Sequence, residues 1–320
     1  MTGSLVRIGV LHDFPAPDGG RAFEANVRLG MQAVVDSGRL DDEVEIVHAA
    51  GLGLPLPGGS AHAVEQAFTE LVDRGVAAIL GPAISDNAIV VQPLADRARI
   101  PTLNYSGSEE TRGEYGFQYQ LGSLEDEPSF LASNLVVRGL MRVAVARDRS
   151  YVGRRMSDFF EHAAAVAGLT ITSGAAADAI VSLGMWDSAR TLAASKPAVP
   201  VVANSALIFG HHDGQAARDW EGWTYPDVVS EANDVYAALG DMRYGVAAQY
   251  DMGRLIGEAL ARARIANGVG LMDGLEQVKA IPAAGGEPGT LMGFGRCERG
   301  ALKGRYLVLR RWHDGRSLPA

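Results

Sequence analysis

The chain reads as α/β, built from two doubly wound parallel-sheet lobes. Three observations predict this. Short apolar strands alternate with amphipathic helices through both halves. The carboxyl ends of the strands run into turns of Gly, Pro and Ser. A length of 320 residues exceeds one ordinary core and suits two lobes of roughly 150 residues each.

The elements follow in order. Val6 to Leu11 is a strand, and a turn carrying Pro15, Pro17, Gly19 and Gly20 leads to a helix from Ala22 to Ser37. Phe23, Val27, Met31, Val34 and Val35 recur there at helical spacing, and Gly38 ends it. Glu43 to His48 is the second strand, and the Gly/Pro-rich stretch from Gly51 to Gly59 is a surface loop before a helix from Ser60 to Arg74. Val76 to Leu80 is the third strand, Asn87 to Arg99 a helix and Thr102 to Asn104 the fourth strand. Phe117 to Leu121 is a crossing into the second lobe. There, Glu125 to Arg138 is helix, Arg142 to Ala146 strand, Gly153 to Ala167 helix, Ala179 to Leu183 strand, Trp186 to Ser195 helix and Val201 to Ala203 strand. Gly245 to Ala266 is one long helix with Met252, Leu255, Ile256 and Leu260 on one side, and Tyr306 to Trp312 is a final strand.

Composition narrows the function. Hydrophobic residues at 47% and charged residues at 21% describe a globular chain. The formal net charge of -9 repels phosphate backbones and anionic lipid, so nucleic acid is not expected as a partner. No apolar run approaches the ~20 residues that cross a bilayer, so the chain is not expected to span a membrane. Cys297 is the single cysteine, which excludes an intrachain disulfide and a thiolate metal cage. The amino-terminal segment lacks a charged region, an apolar core and a cleavage site. As written it implies a cytoplasmic protein, and a periplasmic or cell-surface one if Met1 replaces a removed leader.

The chemistry concentrates in two turns. Ile79-Leu-Gly-Pro-Ala-Ile-Ser-Asp86 and Arg99-Ile-Pro-Thr-Leu-Asn-Tyr-Ser-Gly-Ser-Glu109 are each a strand that enters a polar turn, with a helix between them. In an open parallel sheet, ligands collect at the carboxyl ends of the strands, so both turns belong at one mouth. Ser85, Ser106 and Ser108 can offer hydroxyls there, and Gly107 its main-chain N–H, to a small polar or anionic group. The same serines are equally suited to capping helices. His12 and Asp13 close the first strand at that end and are placed to touch a ligand. No nucleophile accompanied by a base is visible, so holding a ligand is expected rather than transforming it. An enzyme on such a sheet would draw on Asp13, Asp148 or Asp251 as acid or base, and no phosphate loop or metal set accompanies them. His211-His212-Asp213 is read as a solvated loop, because adjacent histidines in an extended segment diverge and no third ligand follows at suitable spacing.

The order of parts resembles the type I periplasmic binding proteins, in particular the leucine/isoleucine/valine-binding branch. The resemblance covers nearly the whole chain. Its landmarks are Ile8-Gly-Val10 with Gly30-Met-Gln-Ala33, Ile79-Leu-Gly-Pro82 with Ser85, and Ile100-Pro101 leading to Tyr105-Ser-Gly-Ser108. They continue with Asp148-Arg-Ser-Tyr-Val-Gly153, Ala177-Asp-Ala-Ile180 and Ala248-Gln-Tyr-Asp251. The resemblance implies two lobes joined by a hinge, 1–121 with about 246–285 and 122–245 with about 286–320. The hinge crossings would lie near Leu121, near Gly245 and after Ile281. It implies a small polar solute of amino-acid, amide or carboxylate type, held between the lobes by Ser85, Ser106, Gly107 and Ser108 and met by Tyr151 and Trp186 from the second lobe. It implies no cofactor and no catalysis. The partner would be an ABC permease, or a regulatory protein if the chain is a cytoplasmic sensor like the amide sensors.

Two departures qualify the match. Between Gly168 and Ala177 only a few residues stand where the family has a strand, a loop and a helix, so the second lobe is expected to be trimmed by one unit. Ala203-Asn-Ser-Ala206 places Asn204 where amino-acid binders often carry an acid for the ligand's ammonium. A side-chain amide gives a dipole and no charge, which favours an amide, a carboxylate or a less charged solute unless Asp251, Asp148 or Glu109 supplies the charge.

Overall fold

A computed structural model describes residues 5–16, 18–240 and 245–320. The readings that involve Met1 and Pro17 lie outside these residues. The chain divides into two units, residues 1–121 with 229–306 and residues 122–228 with 307–320.

The first unit begins with β1 (Leu5–His12), α1 (Arg21–Val35), β2 (Glu43–Ala50), α2 (Ala61–Asp73), β3 (Ala78–Leu80), α3 (Ser85–Ala98), β4 (Thr102–Asn104) and β5 (Gly116–Gln118). The five strands form a parallel sheet in the order β2-β1-β3-β4-β5. Helix formation follows from capping and periodicity. Ser60 accepts the N–H of Ala63 at the start of α2, and α1 buries Phe23, Val27, Gly30, Met31 and Val34 along one stripe.

The second unit continues with α4 (Glu127–Val137), β6 (Arg142–Arg147), α5 (Tyr151–Ala167), β7 (Thr170–Ile171), β8 (Ala179–Leu183), α6 (Trp186–Ala194), β9 (Val201–Ala203), α7 (Gly214–Asp219) and β10 (Thr224–Asp227). Its parallel strands run β7-β6-β8-β9-β10, the same winding as in the first unit. Where the first unit has the thirteen-residue α2, this one has a 3-10 turn at Gly174–Ala176. The trimming expected from the sequence thus removes the helix and keeps a two-residue strand. Trp220 and Tyr225 are fully buried in this unit.

The chain then returns to the first unit with α8 (Asp234–Ala238), α9 (Val246–Arg262), α10 (Gly268–Gln277) and a small antiparallel sheet of β11 (Ile281–Pro282), β12 (Leu291–Met292) and β13 (Leu302–Lys303). It ends in the second unit with β14 (Val308–His313) and β15 (Arg316–Pro319), a hairpin antiparallel to β10. Residues 286–306, expected with the second lobe, therefore join the first, as do residues 229–240. The reason lies in polar pairing. Gln118 N–H donates to Arg299 O (2.8 Å) and Ala301 N–H to Gln118 O (2.8 Å), which stitches the segment to the end of β5. The Arg299 guanidinium lies over Phe117 at 4.4 Å and donates to Gly113 O, Glu114 O and Glu276.

The long helix α9 is buried on most of its surface, against α1 on one side. Its one deeply buried acid near the far end, Glu258, takes both guanidinium nitrogens of Arg39 at 2.6 Å each. That bidentate pair fixes the chain after α1 to α9.

Candidate functional site

In the first unit the ends of β1, β3 and β4 meet through side chains that brace the turns. Asp13 follows β1 directly and is fully buried. Its carboxylate accepts the N–H groups of Ala83 (3.0 Å) and Ile84 (2.8 Å) and the amide of Asn87 (2.9 Å). Burial pushes its pKa up, against these three donors. Asp13 thus clamps the start of α3 to the end of β1. Replacing it by Asn keeps the shape but sets an NH2 against a main-chain N–H. Asp13→Asn is expected to lower stability by about 2 kcal/mol, read as a lower urea midpoint; an unchanged midpoint would refute the clamp.

The serine turns are linked in the same way. Gly107 N–H donates to Ser85 Oγ (3.2 Å), which ties the turn after β4 to the start of α3. The hydroxyl proton of Ser85 has no acceptor among the described residues and remains to be offered. Ser106 Oγ donates to Asn104 Oδ1 (2.8 Å) and is buried within a network that includes Thr111 and Gln118. Ser108 is fully buried, and its Oγ accepts Glu110 N–H (3.2 Å) as the cap of a 3-10 turn at Glu109–Thr111. The structure brings Ser85, Ser106, Gly107, Ser108 and Asp13 together at the carboxyl ends of three neighbouring strands, each carrying an internal hydrogen bond.

Asp251 is held by other partners. On α9 it accepts the N–H groups of Ala284 (2.8 Å) and Gly285 (2.9 Å) and the hydroxyl of Tyr119 (3.0 Å). It is fully buried, and burial raises its pKa to about 6.

The second unit repeats the plan. Asp148 follows β6 as Asp13 follows β1, and it accepts Met185 N–H (2.7 Å) from the turn after β8 together with Ser150 N–H (2.9 Å). Gly184 permits this approach, with φ +141 and a would-be Cβ 2.4 Å from the Asp148 carboxylate. Asn204 is buried and joins Gly184 at both ends, donating to its O (3.1 Å) and accepting its N–H (3.4 Å). Its amide therefore orders two turns. Tyr151 opens α5 after the cap Ser150 and is half-buried against the unit's core. Trp186 opens α6 and stacks on Phe209, with ring centroids 4.6 Å apart and 13° between planes. Phe209 escaped the sequence reading because the 3-10 segment Ser205–His211 has too short a period to signal an element.

That segment ends at His211, which keeps exposed surface as the reading of a solvated stretch expects, although it closes a 3-10 turn rather than an extended loop. Its ring packs against Trp312 at 4.9 Å, and this partial burial lowers its pKa to about 3. Trp312 Nε1 donates to Leu207 O (3.2 Å), which carries the segment onto β14. Cys297 is exposed. Among the described residues, one trio could offer metal-ligand atoms together, the exposed Glu221, His313 and Asp314. His313 Nδ1 already meets Glu221 Oε1 at 2.7 Å.

No family model and no curated protein sequence matches the chain. Solved structures match over its full length. An ABC transporter substrate-binding protein of Desulfitobacterium hafniense in complex with Leu has a TM-score of 0.80 at 18% identity, covering 99% of this chain and 100% of that one. The branched-chain amino acid transporter substrate-binding protein LivJ of Streptococcus pneumoniae, in complex with isoleucine, gives 0.78 at 17%, covering 98% and 97%. The leucine-binding protein LivK of Thermotoga maritima gives 0.76 at 16%, covering 98% and 97%. The chain has the type I periplasmic binding protein fold. No helix of the described residues is long and apolar enough to cross a membrane.

Proposed function

We propose that the protein binds, without catalysis, a small polar organic solute of amino-acid, amide or carboxylate type, as the substrate-binding component of an ABC-type importer. The observation that carries this reading is the end-to-end match with a structure described as holding leucine, 99% of one chain against 100% of the other. The site chemistry supports it. Hydroxyls and main-chain groups gather at the strand ends of the first unit, while Tyr151 and the Trp186–Phe209 pair supply aromatic surface at the strand ends of the second. These are groups that orient a solute by hydrogen bonds and cover its apolar part. In this reading the solute is held between the units and favours their closure about the hinge.

A thermal-shift screen of amino acids, short amides and carboxylates tests the reading, since a ligand of the folded state raises the melting temperature. Leucine and isoleucine are the first probes, and a flat screen across all classes would overturn it. A hit recovered chemically altered after incubation would point to an enzyme instead. Fractionation of native cells separates the two settings, because a sensor stays with the cytosol and an importer component is exported. Ser85→Ala is expected to weaken binding of the screened ligand by about 1 kcal/mol, the scale of one hydrogen bond. Equal affinity by calorimetry would remove Ser85 from the site.

A further inference from the structure

Two histidines and a glutamate form a continuous hydrogen-bonded chain at the end of β1. His12 Nε2 lies 2.9 Å from His48 Nδ1, and His48 Nε2 lies 3.0 Å from Glu24 Oε2. The imidazole rings are parallel within 4° with centroids 5.3 Å apart, so the contact is made edge to edge through the facing nitrogens. His12 is 5% exposed, whereas the His48 and Glu24 side chains keep about a quarter of their surface open. The chain therefore runs from solvent to a buried ring beside the braced turns. Gly20 roofs it. With φ +85, a Cβ there would fall 2.5 Å from His12 Nε2 and 2.8 Å from His48 Nδ1.

The direction of each hydrogen bond follows from charge. Arg28 Nε donates to the other oxygen of Glu24 (2.7 Å). Burial raises the Glu24 pKa, but the bonds from His48 and Arg28 outweigh it, so the carboxyl sits below its ordinary value and is ionised near neutrality. A carboxylate only accepts, so His48 Nε2 carries a proton. When His48 is neutral, its Nδ1 is an acceptor, His12 Nε2 must donate to it, and His12 Nδ1 is left with a lone pair. When His48 takes up one proton, both of its nitrogens donate. His12 Nε2 must then accept, and a neutral His12 carries its proton on Nδ1.

We propose that Glu24, His48 and His12 form a one-proton switch that inverts the hydrogen-bonding sense of His12 Nδ1, from acceptor when His48 is neutral to donor when it is cationic. The surroundings keep the added charge on His48. Burial and the neighbouring His48 disfavour a cation at His12, and only Asp18 opposes them. The Asp18 oxygens already accept the N–H groups of Gly20 (3.0 Å) and Ala22 (2.7 Å). The remaining polar groups around the chain do not compete for its protons. Arg74 donates to the main-chain O of His48 (3.1 Å) and pairs with Glu70. Phe23 meets His12 edge-on and lies between it and Tyr105, whose phenol burial keeps neutral. Asp13, next in sequence, is engaged by its own three donors. His12 Nδ1 itself has no hydrogen-bond partner among the described residues. The consequence for binding rests on the solute-binding reading: an N–H or O–H of the solute is favoured at His12 while His48 is neutral, and an acceptor such as a carboxylate once His48 is cationic.

The switch can be tested without any solute. In the full chain labelled with 15N-histidine, long-range 1H–15N spectra between about pH 5 and 8 report the tautomer and charge of each ring. The expected result is that His12 stays neutral, protonated on Nε2 at high pH and on Nδ1 at low pH, with the midpoint at which His48 charges. Glu24→Gln is a conservative change at a part-exposed site; it removes the charge that His48 Nε2 faces and should displace the His12 tautomer change along the pH axis together with the charging of His48. His48→Phe should abolish the tautomer change. A His12 that keeps one tautomer while His48 charges, or that charges before His48, would overturn the switch.

Discussion

Gly253→Val is expected to leave the first unit unable to fold, seen as loss of its cooperative thermal transition by circular dichroism. A Cβ at Gly253 would lie 2.0 Å from Val27 O, and one at Gly30 would lie 2.0 Å from Tyr250 O. The two glycines thus face each other's helix across the α1–α9 contact, where main chain meets main chain. A carbonyl in a helix cannot swing aside as a side-chain tip can, so the helices must separate. Separation uncovers Val27, Met31 and Val34 on α1 and Met252, Ile256 and Leu260 on α9, all buried in the first unit. Gly253→Ala should already cost at least about 3 kcal/mol. A wild-type midpoint for that variant would show that the helices part without loss and would refute the close contact.

The stability difference between Glu127→Gln and the wild type is expected to move in favour of Gln by about 3 kcal/mol between pH 4 and pH 8. Glu127 is fully buried, and its oxygens accept Ser123 N–H (2.7 Å) and Ser205 N–H (2.9 Å). Burial raises its pKa from 4.5 to about 7, overcoming these bonds and aided by the nearby Glu125. The folded state then binds more protons than the unfolded one between those values, so the contribution of Glu127 to stability falls as pH rises through that window. Gln does not titrate. The lowered pKa values of His12, His211 and His212 act oppositely on the absolute stability but cancel in the difference. Urea unfolding of both proteins at several pH values measures it, and a pH-independent difference would show that folding does not raise the Glu127 pKa.

Serine turns, strand ends and helix stripes were legible because each is encoded within a few neighbouring residues. The stripe of Phe23, Val27, Met31 and Val34 names the buried face of α1 without any knowledge of its partner. The helix α10 was missed for the same local reason. Gly268, Gly270 and Gly274 weaken its helical signal, while a Cβ at Gly274 would meet Ala259 O at 2.3 Å, so contact with α9 demands what propensity opposes. The strands β11 to β13, of two residues each, are too short to show a period at all.

By itself, then, the sequence determined two parallel α/β windings and the turns at which polar groups would gather, because periodicity and turn chemistry act over short range. Tertiary structure alone decided which hydrogen bonds each polar group makes there. Asp13, Asp148 and Asn204 read as candidates for touching ligand, and in the structure each also accepts a donor from a turn on another strand. His12 and His48, 36 residues apart, become one proton-linked pair only when β1 and β2 lie side by side. A hydrogen bond depends on distances of a few tenths of an ångström, and those are set where separate segments pack.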